Sequence, residues 1–556
     1  MADDRKLRDQ MQGRWSGLET ERTSWVPHWR DISEHLLPRT GRFIQSDRNK
    51  GDKRHNKILD NTGTRALRVL SAGMMAGMTS PARPWFRLTT SVPELDESAG
   101  VKAWLADVTR LMQMVFAKSN TYRALHSAYE ELGSYGTSSS IVLPNFEKVI
   151  HSHVLTIGEY AMTTNNLGHV NTLYRQFQMT VAQAVAEFGL ENCSSTVRSS
   201  YDKGVLEAWV DVMHVIEPRA DREHGKRDAK NMPWRSVYFE PAATDRVFLR
   251  ESGFEQFPAL CPRWAVSGGD IYGNSPAMEA LGDIKQLQHA QLRKAQGIDY
   301  KTNPPLQLPS SAKNHETDFL PGGISYIDQS NPQGGVRSAF EVNIDLNHLL
   351  EDIRDVRERI KSSFYADLFL MLAGGDLRNM TATEVAERHE EKLLMLGPVL
   401  ERLHNEILDP LIEMTFSRMV QAGVVPPPPE ELQDKELNVE FVSMLAQAQR
   451  AIATNSVDRY VMNLGAISKM KPDVLDKFDA DRWADSYADM LGIDPELIVP
   501  GEQVALIRRQ RAEAAQAQQQ AEMMQQGAGV AKDLAAAKTG EASALTSVMD
   551  AFTGYT

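Results

Sequence analysis

The run LAGGDLRNMTATEVAERHEEKLLMLGPVLERLHNEILDPLIEMTF, Leu372 to Phe416, constrains this chain more than any other stretch. Gly374 and Gly375 open a loop that leads straight into an apolar repeat at steps of three or four. Leu393, Leu396, Leu400, Leu403, Ile407, Leu411 and Met414 mark one face of a helix. Thr381 and Glu384 supply a capping box at its start, and the glutamates of its first turns suit the helix dipole. Pro398 and Pro410 each remove a backbone hydrogen bond and are expected to kink the helix without ending it. Running to about Gly423, where VVPPPPEE stops it, the helix is on the order of 60 Å long at ~1.5 Å per residue. A helix of that length suits a strut in a large assembly better than an enzyme scaffold.

The remaining composition agrees. A chain of 556 residues with 42% hydrophobic content buries a sizeable core and divides into several domains. No apolar run reaches the ~20 residues that span a bilayer, and MADDRKLRDQMQGRW lacks the apolar stretch of a signal peptide. Cys193 and Cys261 lie far apart without metal-ligand spacing, which reads as two reduced core residues. A formal net charge of −13 argues against a dedicated nucleic-acid binder, yet suits a surface that lets DNA pass without gripping it.

Along the chain, residues 7–37 read as one tryptophan-rich helix closed by Pro38. The basic loop RTGRFIQSDRNKGDKRHNK fits either a solvated loop or an arm facing a polyanion. Asn61 or Thr62 caps a helix whose small residues, Gly73 among them, permit close packing. A helix pair follows over 101–132, the second member capped by Ser119 or Asn120. Residues 138–263 are rich in short strands, with one helix after the Thr180/Gln183 capping box that ends at Gly189. Pro276 opens a helix, about forty residues of strand and turn intervene, and a second long helix runs from Asp345 to Leu372. Beyond the proline run, helices are expected around 441–469 and 473–491. The tail from about Val504 is rich in alanine and glutamine and forms only a marginal helix alone.

No phosphate loop, dinucleotide fingerprint, nucleophile elbow or HExxH is present. His389 beside Glu390 reads as a polar helix face. His151 and His153 share a strand face but have no third ligand nearby, and the SxxK hits at Ser200, Ser310 and Ser468 are scattered. No catalytic residue, metal or cofactor is expected.

Four stretches resemble the portal, or head-to-tail connector, proteins of short-tailed double-stranded DNA bacteriophages. They are DNTGTRALRVLSAGMMAGMTSPARPWFRL, RWAVSGGDIYGNSPAMEALGDIKQL, NMTATEVAERHEEKLLMLGPVLERL and the N-terminal tryptophan helix, and the likeness runs from about residue 10 to 490. Tyr272, Gly273 and Pro276 in the turn before a helix, and Thr381 and Glu384 at the start of the long helix, carry it most specifically.

The resemblance implies an α+β, mainly α subunit with wing, stem, clip and crown. Residues 1–275 become a wing with β-rich part 138–263, 276–303 and 344–372 the two stem helices, and 304–343 a small α/β clip. A tunnel loop spans 373–380, a long kinked wing/crown helix 381–423, a helical crown 424–500, and a tail 501–556 that is a helical barrel or disordered. It further implies a ring of twelve copies, or thirteen when overexpressed, at the portal vertex of the virion capsid and assembled in the host cytoplasm. Its partners would be the terminase large subunit, tail adaptor and tail proteins, major capsid and scaffold proteins, and double-stranded DNA passing without sequence specificity, with no membrane. Gly374, Gly375, Asp376, Leu377, Arg378 and Asn379 would form the DNA-facing tunnel loop. Arg293, Lys294, Arg354, Arg357 and Lys361 would be channel-facing stem cations. The competing expectation is a homo-oligomeric virion scaffold or tail-tube component without a channel. A nuclease assembled from scattered carboxylates is a weaker one.

Overall fold

The structure, a computed structural model, describes residues 2–43, 51, 54–92, 98–223, 225–226, 228–303, 305–307, 337–338, 346–372, 396–432, 437–442, 460–467, 471, 473, 478–491, 499 and 501–536. The N-terminal helix expected over 7–37 is two helices, α1 (Ala2–Arg22) and α2 (Val26–His35). Pro27 explains the break: it cannot donate to the carbonyl four residues back, and it fits only the first turn of a new helix. Helix α3 (Thr62–Met78) follows, but neither Asn61 nor Thr62 caps it with a side chain. Asp60 does the work instead, accepting from the backbone N–H and hydroxyl of Thr62 at 2.9 and 2.6 Å. After β1 (Phe86–Thr90) come α4 (Ala99–Lys118) and α5 (Thr121–Tyr135). Of the two candidates for the start of α5, Asn120 makes no cap bond because its amide spans the backbone of Ser152, donating to the carbonyl and accepting from the N–H, whereas the Ser119 hydroxyl accepts from the Thr121 N–H at 3.4 Å.

The β-rich region splits into two antiparallel sheets. One holds β2 (Ser139–Asn145) and β3 (Val149–Leu155). The other is a five-stranded meander begun by β4 (Tyr160–Thr164) and β5 (Val170–Thr180). Helix α6 (Val181–Phe188) has the expected Thr180/Gln183 capping box and ends at Gly189. A second helix, α7 (Ser195–Asp202), was not anticipated; the Ser194 hydroxyl caps it by accepting from Val197. Strands β6 (Trp209–Pro218), β7 (Trp234–Phe239) and β8 (Arg250–Phe254) complete the meander, and β9 (Ala259–Leu260) pairs with β2.

Period-2 alternation gives the meander two apolar faces. Met11 and Trp15 of α1 bury Tyr174, Met213 and Phe239 on one side. Phe188 of α6, Cys193 in the turn after it and Val197 of α7 bury Val212 and Tyr238 on the other. Cys193 and Cys261 are both buried free thiols, as read from the sequence.

Helix α8 (Pro276–Thr302) begins at Ser275, whose hydroxyl accepts from Met278, with Pro276 in the first turn. Strands β10 (Leu306–Gln307) and β11 (Arg337–Ser338) pair antiparallel. The expected single helix 345–372 is interrupted: α9 (Leu346–Ser363) and α10 (Ala366–Leu372) flank Tyr365, which takes a left-handed φ of 53°. Phe364 and Phe369 are both buried on either side of this break, and a Cβ on Gly73 of α3 would lie 2.2 Å from the Phe369 ring. The small residue there is what lets α10 sit against α3.

Of the residues expected to form the long helix, 396–403, a π turn at His404–Leu408 and Asp409–Gln421 are described, and they make up α11. The chain stays helical through Pro410 as expected. The Asp409 N–H reaches back five residues to the His404 carbonyl, which widens the turn where the proline ring would otherwise clash. Thr381 and Glu384 lie outside the described residues. Phe441, expected to start a helix, instead ends β12 (Leu437–Phe441), paired antiparallel with β1 from Phe86↔Phe441 to Thr90↔Leu437. One large core joins α2 to α5, the smaller sheet, α8 to α11 and the β1–β12 ribbon.

These elements form one compact unit, Met1–Gln449. The other, Arg450–Thr556, contains a helix at 460–467, α13 (Ala480–Leu491) and the largely exposed α14 (Gly501–Ala536); the first of these is α12. Phe478 packs at a tilt against Trp483, which stacks on Tyr487, and Arg508 of α14 is ion-paired with Asp481 of α13.

Candidate functional site

The root of α8 is the most tightly specified point of the larger unit. Gly136 ends α5 in the left-handed region, φ 74°, and crosses Gly273 so closely that a Cβ on Gly136 would lie 2.1 Å from the Gly273 carbonyl oxygen. The reverse approach is 2.3 Å, so neither position tolerates a side chain. Trp264 donates its N–H to the Gly136 carbonyl, Gly273 donates to the Thr137 hydroxyl, and the Ser275 hydroxyl donates to the Ser134 carbonyl. Tyr272 is buried edge-on against Trp29, with ring centroids 5.0 Å apart. The N-terminal tryptophans and the YGNSP turn thus form one packed joint from which α8 projects.

A clamp around Asp60 ties α8 to α9. Asp60 is 8% exposed. Its Oδ2 accepts from Gln291 of α8 at 2.9 Å and from Nε and Nη2 of Arg357 of α9 at 3.1 and 2.7 Å. Gln288 of α8 closes the clamp, accepting from the Leu59 and Asp60 N–H groups and donating to the Asp60 carbonyl. Burial alone would raise the Asp60 pKa, but the bonds from Thr62 and Arg357 outweigh it and hold the carboxylate below its usual range. Nearer the root, Arg359 of α9 bridges Asp283 of α8 and Asp355 of its own helix, so α9 runs back along α8.

The five stem cations therefore divide. Arg357 is committed to Asp60. Arg293 is exposed, with Nε 3.4 Å from His289, and Lys294 is half-buried on the same turn. Arg354 and Lys361 are exposed on α9, beside the exposed carboxylates Glu351, Asp352 and Glu358. Gly374, Gly375, Asp376, Leu377, Arg378 and Asn379 lie outside the described residues.

Sequence reading missed the joint at the π turn. Glu406 accepts from the Arg263 backbone N–H at 2.8 Å and from its Nη2 at 2.6 Å, while the same Nη2 reaches the Gly168 carbonyl. Arg263 is 4% exposed and Arg402 adds a second cation to Glu406. Nothing in the local pattern around RWAV or HNEIL marks this pair, because the residues are 143 positions apart. His404, also in the π turn, stacks on Phe441 at 4.1 Å, and burial lowers its pKa to about 4.

His151 and His153 do share the exposed face of β3. Among the described residues, Asp31, Glu34 and His35 alone cluster as metal ligands could, but Asp31 is ion-paired to Lys285 and Glu34 to Lys57. No described helix is long and apolar enough to cross a membrane.

Residues 8–499 match the profile of the bacteriophage head to tail connecting protein family. The chain belongs to that family. It is similar to the probable portal protein of Bordetella phage BPP-1, 71% identical over 100% of this chain and 99% of that one. It is also similar to the portal protein of Salmonella phage epsilon15, 46% identical over 96% of each chain. Among solved structures, a chain of the virion of a native gene transfer agent particle aligns with a TM-score of 0.35 at 12% identity, over 84% of this chain and 99% of that one. Family membership makes this a structural virion component of the head-tail connector type, a portal protein and not an enzyme. The packed joint and the Asp60 clamp are accordingly read as architecture that positions a helix pair.

Proposed function

We propose that the chain is one sector of a twelve-membered ring at a single capsid vertex, a conduit through which double-stranded DNA enters and leaves. Residues 276–303 and 344–372 act as stem, 304–343 as the exposed clip, 373–380 as the tunnel loop and 1–275 as the wing. The helix 381–423 crosses from wing to crown (424–500), with β12 holding the start of that last segment against β1. The observation that carries the reading is the antiparallel α8–α9 pair, rooted in a rigid joint and tied by the Asp60 clamp, in a chain of the connector family.

The mechanism rests on charge and geometry. Twelve chains of net charge −13 make a strongly acidic ring, which repels phosphate and keeps DNA from adhering. Arg293, Lys294, Arg354 and Lys361 keep the barrier passable. Arg357 takes the same part only as far as its bond to Asp60 allows. The tunnel loop, Gly374 to Asn379, touches DNA transiently, its glycines letting it follow the duplex. With no phosphate loop in the chain, ATP is hydrolysed by a separate terminase docked on the clip, and tail adaptors occupy the same end later. Capsid and scaffold proteins contact the ring from outside.

Negative-stain imaging down the particle axis tests this. Twelve-fold or thirteen-fold rings with a central hole are expected. Filaments, or closed particles without a hole, would favour the channel-less scaffold. Submicromolar, salt-insensitive binding of free DNA by the assembled ring would refute the low-adhesion mechanism.

A further inference from the structure

Among the described residues, the large apolar side chain most exposed to water sits on the hairpin between β2 and β3. Phe146 sits at the tip, fully exposed, followed by Glu147 and Lys148. The tip is held stiffly. The Asn145 side chain accepts from the N–H groups of Glu147 and Lys148, and Ile150 donates to the Lys148 carbonyl across Val149 at 2.7 Å. Val149 has a φ of 66°, a strained conformation for a β-branched residue, of the kind that persists where the surroundings enforce it. A rigid tip presenting a phenyl ring to water has the form of a knob.

A complementary hollow exists elsewhere on the same unit. Helix α1 covers only part of its face of the five-stranded sheet, and the uncovered end is a cavity of about 480 Å³. Trp15, Phe43 and Trp209 wall it, and Gln176 and Gln178 of β5 line the sheet side. Trp209 is 45% exposed, and the buried Gln178 Oε1 has no hydrogen-bond partner. The rim is mixed in sign: Arg42 pairs with Glu159 and Arg22 with Glu19, while Asp211, which accepts an amide bond from Gln178, is the carboxylate that would meet Lys148 of a tip. The volume lies in the range that holds a large aromatic side chain and its neighbours.

A chain cannot fill its own hollow. Gly158 lines the cavity, three residues past the end of β3, whereas Phe146 lies beyond its other end. The extended strand alone separates them by about 20 Å at ~3.3 Å per residue. A knob and a hollow at opposite ends of one strand are two different patches, which is the requirement for a head-to-tail contact that closes into a ring.

We infer that Phe146 of one copy inserts between Trp15, Phe43 and Trp209 of the next copy, making this a subunit–subunit contact of the ring. The inference rests on the ring reading above. It is tested with the full-length chain by mass photometry and by cross-linking of a Phe146→Cys/Gln178→Cys double variant with a short bis-maleimide. The native thiols are both buried, and each single variant serves as the control. Expected are rings for the unaltered chain and a covalent ladder of multimers for the double variant alone. Phe146→Asp should raise the concentration for half-assembly by roughly tenfold or more, as loss of an aromatic anchor does. Because Phe146 touches solvent only, an unchanged circular dichroism melt of the monomer separates lost assembly from lost folding. Rings without a ladder, or a Phe146→Asp ring as stable as the original, would overturn the contact and leave the ring reading intact. An unaltered chain that stays monomeric at high concentration would overturn both.

Discussion

Glu131 of α5 should give the chain a stability that declines between weakly acidic and weakly basic pH. It is 5% exposed and its Oε2 has no hydrogen-bond partner. Burial raises its pKa from 4.5 to about 8, against the bonds it accepts from Thr156 and Ile157, with Glu159 and Glu130 adding to the rise. Below pH 4.5 both folded and unfolded chains hold the proton. Between 4.5 and 8 only the folded chain holds it, so each step up in pH favours unfolding. Above 8 the full cost is present, on the order of 5 kcal/mol at ~1.4 kcal/mol per pH unit. Glu131→Gln keeps a neutral side chain of the same shape and removes the titration. Urea unfolding of chain and variant, followed at pH 5 and pH 8.5 on the same oligomeric species, should give similar midpoints at pH 5. At pH 8.5 the variant should be the more stable by several kcal/mol. Parallel pH profiles would refute the reasoning, and so would a variant less stable at both pH values.

Three further outcomes follow from particular contacts. Arg263→Ala leaves Glu406, 15% exposed, with Arg402 as its remaining cation; a loss of about 1.5 to 3 kcal/mol is expected, and Glu406→Gln should cost less, measured by the same unfolding. Asp60→Ala removes the acceptor shared by Thr62, Gln291 and Arg357 and should cost about 2 to 3 kcal/mol, with hydrogen exchange rising first in α8 and α9. Gly273→Ala drives a Cβ into the Gly136 carbonyl; a loss above roughly 3 kcal/mol and poor soluble yield are expected, whereas Gly282→Ala, with nothing within 4 Å, should be neutral or slightly stabilising.

Much of the local structure was legible because its causes are local. The Thr180/Gln183 capping box, the Gly189 stop and the Pro276 helix start each depend on residues within one turn, and all three appear as read. The family likeness was legible for the same reason, since YGNSP encodes a joint whose backbone needs glycine at one position and a proline-started helix after it. The cation set was only partly legible. Helical spacing placed Arg354, Arg357 and Lys361 on α9, but not which of them would be claimed by a carboxylate nearly 300 residues away.

Errors concentrated where a distant partner overrides a local preference. Asn120 and Asn61 are good caps by type, yet one amide is taken by Ser152 and the other position is served by Asp60. The helix expected to run through Tyr365 breaks there, with Phe364 and Phe369 buried on its two sides. Phe441 looked helical beside its neighbours, but it pairs in register with Phe86 across 355 residues.

By itself, then, the sequence determined the element types, the proline and glycine punctuation, the absence of catalytic motifs and the family, since all are written in nearest-neighbour chemistry and spacing. Only the tertiary structure decided which helices pair, that Asp60 and Glu406 are the acceptors at the two charged joints, and that an exposed phenylalanine and an open aromatic hollow lie at opposite ends of one strand. Those depend on contacts between residues hundreds of positions apart, and such contacts exist only once the core has formed.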